Sequence, residues 1–208
     1  MVDRETVRRG FDEVAETFAA KRRAKPGERA ALDAMLAELP PSPRVLDAGC
    51  GQGTPILAAL AAAGAEPIGL DAAREQLRLA AEAVPAATLL QGDLTALPLP
   101  AASVEGVVCL HTLFHLPQAA HGHALAEFAR VLEPGGRLLL SEGVEPWQGS
   151  NPDWLDAGAT MQWDIAGADA TRERLRAAGF TILDESRVAE TLSAESEGEW
   201  TLFSARYS

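Results

Sequence analysis

Residues 45–53 read Val-Leu-Asp-Ala-Gly-Cys-Gly-Gln-Gly, and no other stretch limits the possible folds so sharply. Val45 and Leu46 suit a short buried strand, because β-branched and apolar side chains fill both faces of a covered sheet. The strand runs into Asp47 and then glycines at alternate positions, 49, 51 and 53. Glycine serves where backbone must turn tightly and let a ligand approach without a Cβ in the way. Thr54 is a candidate N-cap, Pro55 a candidate first helical residue, and Ile56, Leu57 and Leu60 then carry a helix. Strand, glycine loop and helix predict the nucleotide-binding opening of a doubly wound α/β domain. A dinucleotide fingerprint would put its third glycine at position 54, where Thr54 stands, and no phosphate-loop Gly-Lys-Ser/Thr follows.

The remaining signals place other groups around that loop. Residues 3–24 predict one helix with Phe11, Val14 and Phe18 on an apolar stripe, and 28–39 a second helix ended by Pro40, Pro41 and Pro43. The second strand, 67–71, ends at Asp71, about 20 residues beyond the glycine loop, where a nucleotide-binding fold wants its ribose-binding acid. A carboxylate at the neighbouring strand tip can accept both ribose hydroxyls; the alternative is an N-cap for a helix over 72–84. A third strand, 88–91, precedes Asp93, and a fourth ends at Leu110. Strand tips of an open parallel sheet face the ligand crevice. His111 and, after the fifth strand, Glu142 are therefore expected beside reacting atoms. Residues 143–168 show no clear pattern but hold Trp147, Trp154, Met161 and Trp163. A segment that long is expected to cover a pocket. A helix over 171–178, capped by Asp169 or Thr171, a strand from 180 to 188, an acidic loop (Glu190, Glu195, Glu197, Glu199) and a strand over 200–206 finish the chain.

A length of 208 residues suits one domain, and the net charge of −12 argues against gripping nucleic acid by its phosphates. There is neither a membrane-length apolar run nor a signal-peptide core at the start, so no membrane partner is expected. Cys50 and Cys109 lie in the loop and a strand rather than as a surface staple, which predicts a reducing cytoplasm. His111, His115, His121 and His123 lack the spacing of a metal site, and none is expected.

Several stretches together resemble one family. Residues 47–53 fit the acidic-x-Gly-x-Gly-x-Gly motif I of the class I S-adenosylmethionine-dependent methyltransferases. Phe11-Asp12-x-x-Ala15-x-x-Phe18 resembles the Tyr-Asp-x-x-Ala-x-x-Tyr opening of small-molecule members, with phenylalanine at both tyrosine positions. Gly92-Asp93-Leu94, the Leu97-to-Val108 passage, His115 within 111–116, and Arg130-Val131-Leu132-Glu133-Pro134-Gly135-Gly136 resemble the type 11 group in order and spacing, as do Met161-x-Trp163 and Asp169-Ala170-Thr171.

The resemblance spans nearly the whole chain. It implies an α/β fold with a doubly wound, Rossmann-like, seven-stranded sheet, mostly parallel with a C-terminal antiparallel strand. An N-terminal helical cap (1–40) and a covering insertion (143–168) complete a single domain, 1–208. It implies S-adenosyl-L-methionine as cofactor, S-adenosyl-L-homocysteine as product, and in-line methyl transfer to a small-molecule acceptor. Cofactor contacts are then expected from Asp47, Gly49, Gly51, Gly53, Asp71, Ala72, Asp93, Leu94, Leu110, His111 and Phe18. Candidate bases are His111, Glu142 and His115, with Asp164 last, and the substrate pocket draws on Phe11, Phe114, Trp147, Met161 and Trp163. The alternatives are a cofactor-binding protein of this fold without turnover and a nicotinamide oxidoreductase. Methylation of nucleic acid is disfavoured, since no Asn/Asp-Pro-Pro-Tyr/Phe follows the fourth strand.

Overall fold

The computed structural model describes residues 2–23, 25–189 and 199–208. Most of the expected acidic loop lies outside them: Glu190, Glu195 and Glu197 fall there, while Glu199 opens the last strand. Seven strands form one sheet: β1 (Arg44–Ala48), β2 (Glu66–Asp71), β3 (Thr88–Gln91), β4 (Val104–Cys109), β5 (Leu132–Gly143), β8 (Phe180–Ala189) and β9 (Glu199–Tyr207). Their order is β3-β2-β1-β4-β5-β9-β8. The first five run parallel, and β9 pairs antiparallel with both β5 and β8. The order reverses between β1 and β4, which opens a crevice at the C-terminal ends of those two strands.

Helices cover both faces. On one side α6 (Gln118–Val131) and α7 (Ala168–Ala177) bury Leu125, Phe128 and Leu175 against Leu138, Leu140 and Phe203. On the other, α3 (Pro26–Ala37) and α4 (Ile56–Ala62) bury Leu32, Leu57 and Leu60 against Val45, Val108 and Leu139. Alternate residues of β5 thus enter different cores, as the two-residue period of a strand demands. The remaining face helix is α5 (Arg74–Ala83). Among the described residues no helix is long and apolar enough to cross a membrane.

Three expectations need correcting. The predicted 3–24 helix is two helices, α1 (Arg4–Glu13) and α2 (Ala15–Lys21), broken at Val14. The physical reason is a competitor for the ladder: Gln76 Nε2 donates to the Phe11 carbonyl at 3.0 Å, the oxygen that the Ala15 N–H would otherwise use. Pro55 is the N-cap of α4 rather than its first residue, and Thr54 makes no cap; Gln52 Nε2 donates to the Thr54 carbonyl instead. Likewise Gly167, not Asp169 or Thr171, precedes α7.

The 143–168 insertion is not an irregular cover but a hairpin of β6 (Trp147–Trp154) and β7 (Ala159–Ile165). Its signal was present as strict alternation of Ala159, Met161, Trp163 and Ile165 after a turn at Asp156-Ala157-Gly158. Helix α1 docks on this hairpin, burying Val7 and Met161 together with Phe11, Trp154 and Trp163. The approach is close because Gly10 faces Thr160: a Cβ at position 10 would stand 2.5 Å from the Thr160 carbonyl oxygen. Gly10→Ala is therefore expected to push α1 off the hairpin and to destabilise the protein by about 1–3 kcal/mol, as overpacking does. Urea titration checks the stability, and faster amide exchange over 4–13 and 159–165 checks the location.

Candidate active site

The crevice at the switch point is a cleft of about 1020 Å³ with its mouth, roofed by α1 and α2. The glycine loop forms its floor. Gly49 and Cys50 donate backbone N–H groups to the Leu70 carbonyl, at 2.7 and 3.0 Å, which pins the loop to the tip of β2. Gly49 has φ +87°, and a Cβ there would lie 2.2 Å from the Thr112 side chain, so only glycine fits. Gly51 differs. A Cβ on it would meet nothing nearer than 3.5 Å, on the side where Phe18 closes the cleft. Its bare backbone is a cradle for a ligand.

Two acids stand at the loop, Asp47 buried and Asp71 half-buried. Asp71 accepts from Gly51 N and Ala73 N, each at 2.9 Å, so it is tied to the loop and to the start of α5 at once. The other cap of α5 comes from the roof: Asp12 Oδ1 accepts from Glu75 N at 2.9 Å. Burial pushes the Asp71 carboxyl up to about 6. Burial, with the nearby Asp71 charge, pushes Asp47 up to about 7. At the cleft's other end Asp93 is held below the usual range. Its partial burial is outweighed by hydrogen bonds from Thr95 and by the Arg4 guanidinium, whose Nη1 lies 2.8 Å from Oδ2.

Opposite the acids sits a buried cationic group that sequence reasoning missed. Arg22, Lys25 and Glu28 surround the Pro26-Gly27 break, which reads in the sequence only as a helix boundary. Arg22 lines the cleft, its side chain 7% exposed, with Nη2 3.5 Å from Glu28 Oε2 and Nη1 buried without a hydrogen-bond partner. A buried guanidinium with an unmet donor is expensive to keep unless a ligand completes it. Glu28 also meets the Nε2 edge of His111. His115 is the second imidazole on the wall: its Nδ1 donates to the Gln162 carbonyl at 2.9 Å, and burial drives its pKa down to about 4. The neutral ring therefore keeps its Nε2 lone pair.

The cleft gathers Asp47, Gly49, Gly51, Asp71, Ala72, Asp93, Leu94, Leu110, His111, His115, Phe11 and Phe18. Gly53 lies behind the loop, where a Cβ would stand 3.2 Å from the Val84 side chain and 3.3 Å from Ala80, so its absence lets α5 pack. Glu142 is a correction: it is fully buried outside the cleft, accepting from Gly143 N and facing Thr171 and His121. The alternation of β5 explains this, because Ser141 is the residue that faces the site, accepting from His111 N at 2.7 Å. Asp164 also lies outside, accepting from Gln118 N at the start of α6. Of the other expected pocket residues, Phe114 is stacked on Trp200 away from the wall, Met161 is sealed under α1, and Trp163 packs with it. Trp147 is 54% exposed.

Comparison with known proteins agrees with this geometry. The profile of the methyltransferase-domain family matches residues 45–136, which run from β1 through the end of the Pro-Gly-Gly stretch. The 27-O-demethylrifamycin SV methyltransferase of Amycolatopsis mediterranei is 29% identical over 177 residues, 79% of this chain and 62% of that protein. The ubiquinone/menaquinone biosynthesis C-methyltransferase UbiE of Syntrophotalea carbinolica is 39% identical over 108 residues, 50% of this chain and 45% of that protein. Residues 45–136 thus belong to the methyltransferase-domain family, of the class I S-adenosylmethionine-dependent type. Among solved structures, the Burkholderia thailandensis 1,6-didemethyltoxoflavin-N1-methyltransferase shares this chain's fold with a TM-score of 0.74. It is 22% identical, and the match covers 98% of this chain and 88% of that one. The first curated relatives are longer: the chain spans 38%, 62% and 45% of their lengths.

The family's cofactor fits the residues present. S-adenosylmethionine carries one carboxylate, which the unmet Arg22 donor could take, and an ammonium and a sulfonium, which suit a cleft holding Asp47 and Asp71. Both acids keep their protons to higher pH in the folded chain than in the unfolded one. The native state thus binds extra protons between about pH 4 and pH 7, and stability falls as pH rises through that window. Asp47→Asn is expected to raise the unfolding free energy on the order of 2 kcal/mol at pH 8 and hardly at all at pH 4. Urea titrations at the two pH values check this, and an equal effect at both would contradict it.

Proposed function

We propose that the chain transfers a methyl group from S-adenosylmethionine to a small-molecule acceptor by in-line displacement, residues 1–208 acting as one domain in the cytoplasm. The observation that carries this reading is the charge layout of one cleft. A buried guanidinium with one unmet nitrogen, the Nη1 of Arg22, shares it with two carboxyls, Asp47 and Asp71, whose pKa values burial raises. A ligand with both a carboxylate and a positive end satisfies both. A nicotinamide dinucleotide would bring its diphosphate to the glycine loop, beside the buried Asp47.

In this reading Asp71 takes the ribose hydroxyls, and Gly49, Gly51 and Gly53 form the loop beneath. Ala72, Asp93 and Leu94 meet the adenine, while Leu110, His111 and Phe18 close around the methionine end, where Arg22 takes the carboxylate. When bound, the cofactor supplies a methyl group already activated by the positive charge on sulfur. The protein's share is then alignment and exclusion of water, which the roof of Phe11 and Phe18 supports, the two rings 5.7 Å apart edge to face. His111 and His115 are the neutral imidazoles available to receive a proton. A small-molecule acceptor is supported by relatives whose names specify a rifamycin precursor and a toxoflavin precursor. The acidic net charge of −12 disfavours nucleic acid, and the free buried Cys50 and Cys109 support a reducing compartment.

Calorimetric titration tests the reading. S-adenosylhomocysteine is expected to bind saturably and NADH not at all. Asp71→Ala and Arg22→Ala should each weaken binding on the order of 100-fold, the worth of one or two charge-assisted hydrogen bonds. Absence of binding to the wild-type protein would overturn the proposal.

A further inference from the structure

His111 stands at the tip of β4 in left-handed backbone, φ +55°, a conformation that a residue with a Cβ adopts only when its surroundings hold it there. Three contacts do so. Its backbone N–H donates to Ser141 Oγ at 2.7 Å, its ring rests edge-on against Trp200 with centroids 5.0 Å apart, and its Nε2 meets Glu28 Oε1. Glu28 is 1% exposed on α3 and does not itself line the cleft. Its burial works against ionisation. The contact with His111 and the charges of Arg22 and Lys25 outweigh that burial and keep its carboxyl below the usual range. An ionised carboxylate only accepts, so its contact with Nε2 favours the imidazole proton there, against the more distant Lys25 ammonium, which only donates. The ring's other nitrogen, Nδ1, is then a bare lone pair on a side chain that lines the cleft.

The charges around the ring make Glu28 more than a tether. Arg22 and Lys25, with Nζ 3.4 Å from Nε2, face His111 from the cap, and His115 faces it from the 3₁₀ turn Leu113–His115. Among the described groups acting on this ring, Glu28 alone favours the imidazolium, and the others oppose it or are neutral. A ring that accepts a proton here needs that carboxylate.

We propose that Glu28 is a positioning residue that holds His111 as the Nε2–H tautomer, so that Nδ1 takes the proton of a methyl acceptor bearing an O–H group. The inference rests on the methyl-transfer reading above. As the acceptor oxygen bonds to the methyl carbon, the carbon–sulfur electron pair stays on sulfur, the hydroxyl proton passes to Nδ1, and Glu28 balances the imidazolium. A thioether or tertiary amine acceptor has no proton to lose and would leave this arrangement idle.

The test uses the full chain labelled with ¹⁵N-histidine and saturated with S-adenosylhomocysteine, its ring nitrogens followed by NMR from about pH 5 to pH 9. His111 is assigned by the signals lost in His111→Gln. Wild type and Glu28→Asp should show the Nε2–H tautomer. Glu28→Gln should show mixed tautomers and a titration midpoint lowered by about one pH unit or more, the usual effect of losing an adjacent opposite charge. An Nδ1–H tautomer in the wild type, or an unchanged midpoint in Glu28→Gln, would overturn the role. In radiolabel transfer assays, methylation of catechol whose kcat falls in Glu28→Gln at unchanged KM supports the acceptor class, whereas labelling of dimethyl sulfide alone overturns it. Calorimetry on the same samples separates the two readings. A wild type that ignores S-adenosylhomocysteine removes methyl transfer, while the tautomer of His111 is still decided by the unliganded spectrum.

Discussion

The site depends on how the loop after β1 is tied to the tip of β2. Two N–H groups of the loop share the Leu70 carbonyl, and a third, from Gly51, goes to the Asp71 carboxylate. Those bonds satisfy backbone that would otherwise be stranded in a poorly solvated crevice, where each unmet group costs about 1–3 kcal/mol. They also bring Asp71 near Asp47; burial raises both pKa values, with the Asp71 charge adding to the rise at Asp47 and the Asp12 charge to the rise at Asp71. Loop geometry and cleft electrostatics are therefore one feature. The sheet that places the loop also sets the demand for a positive ligand.

The roof is built to answer that floor. Helix α1 is fastened at the acidic ends of the cleft: Asp12 caps α5, Gln76 takes the Phe11 carbonyl, and Arg4 pairs with Asp93. The first two are backbone attachments near Asp71, and the third is a half-exposed ion pair worth little by itself. The break at Val14 lets α2 swing Phe18 and then Arg22 over the glycine loop. Beyond it, the helix α3 carries Glu28 to His111. Cap and sheet thus contribute opposite charges to one space, and the hairpin of β6 and β7 buttresses α1 from outside rather than lining the pocket.

Burial separates polar groups that look alike in sequence. Ser141 and Glu142 are neighbours at the end of β5, yet the strand's pleat sends one to His111 and the other to Thr171 and His121. Glu142 still carries a carboxyl pushed up to about 7 by burial, but in a closed interior between β5, α6 and α7. A perturbed acid is a site candidate only when a cleft reaches it. The same distinction separates His115, whose free nitrogen remains in the cleft, from the wholly buried His121.

The order of strands and helices, the glycine loop and the acids Asp47, Asp71 and Asp93 were legible because each is local. Periodicity, turn residues and short spacings act within a few residues, and the parallel sheet then has few ways to close. Glycines 49 and 51 were readable for the same reason, since their backbone requirement travels with the motif. Tertiary structure alone decided the rest. The kink at Val14 depends on Gln76, more than sixty residues away, and no helical pattern within 3–24 contains it. Arg22 and Glu28 flank the boundary between two predicted helices, where no local pattern marks them, and they become site residues only because α3 brings Glu28 to His111 beyond the tip of β4. The choice between Ser141 and Glu142 turned on a one-residue phase of β5, which its run of apolar residues, buried on both faces, leaves open.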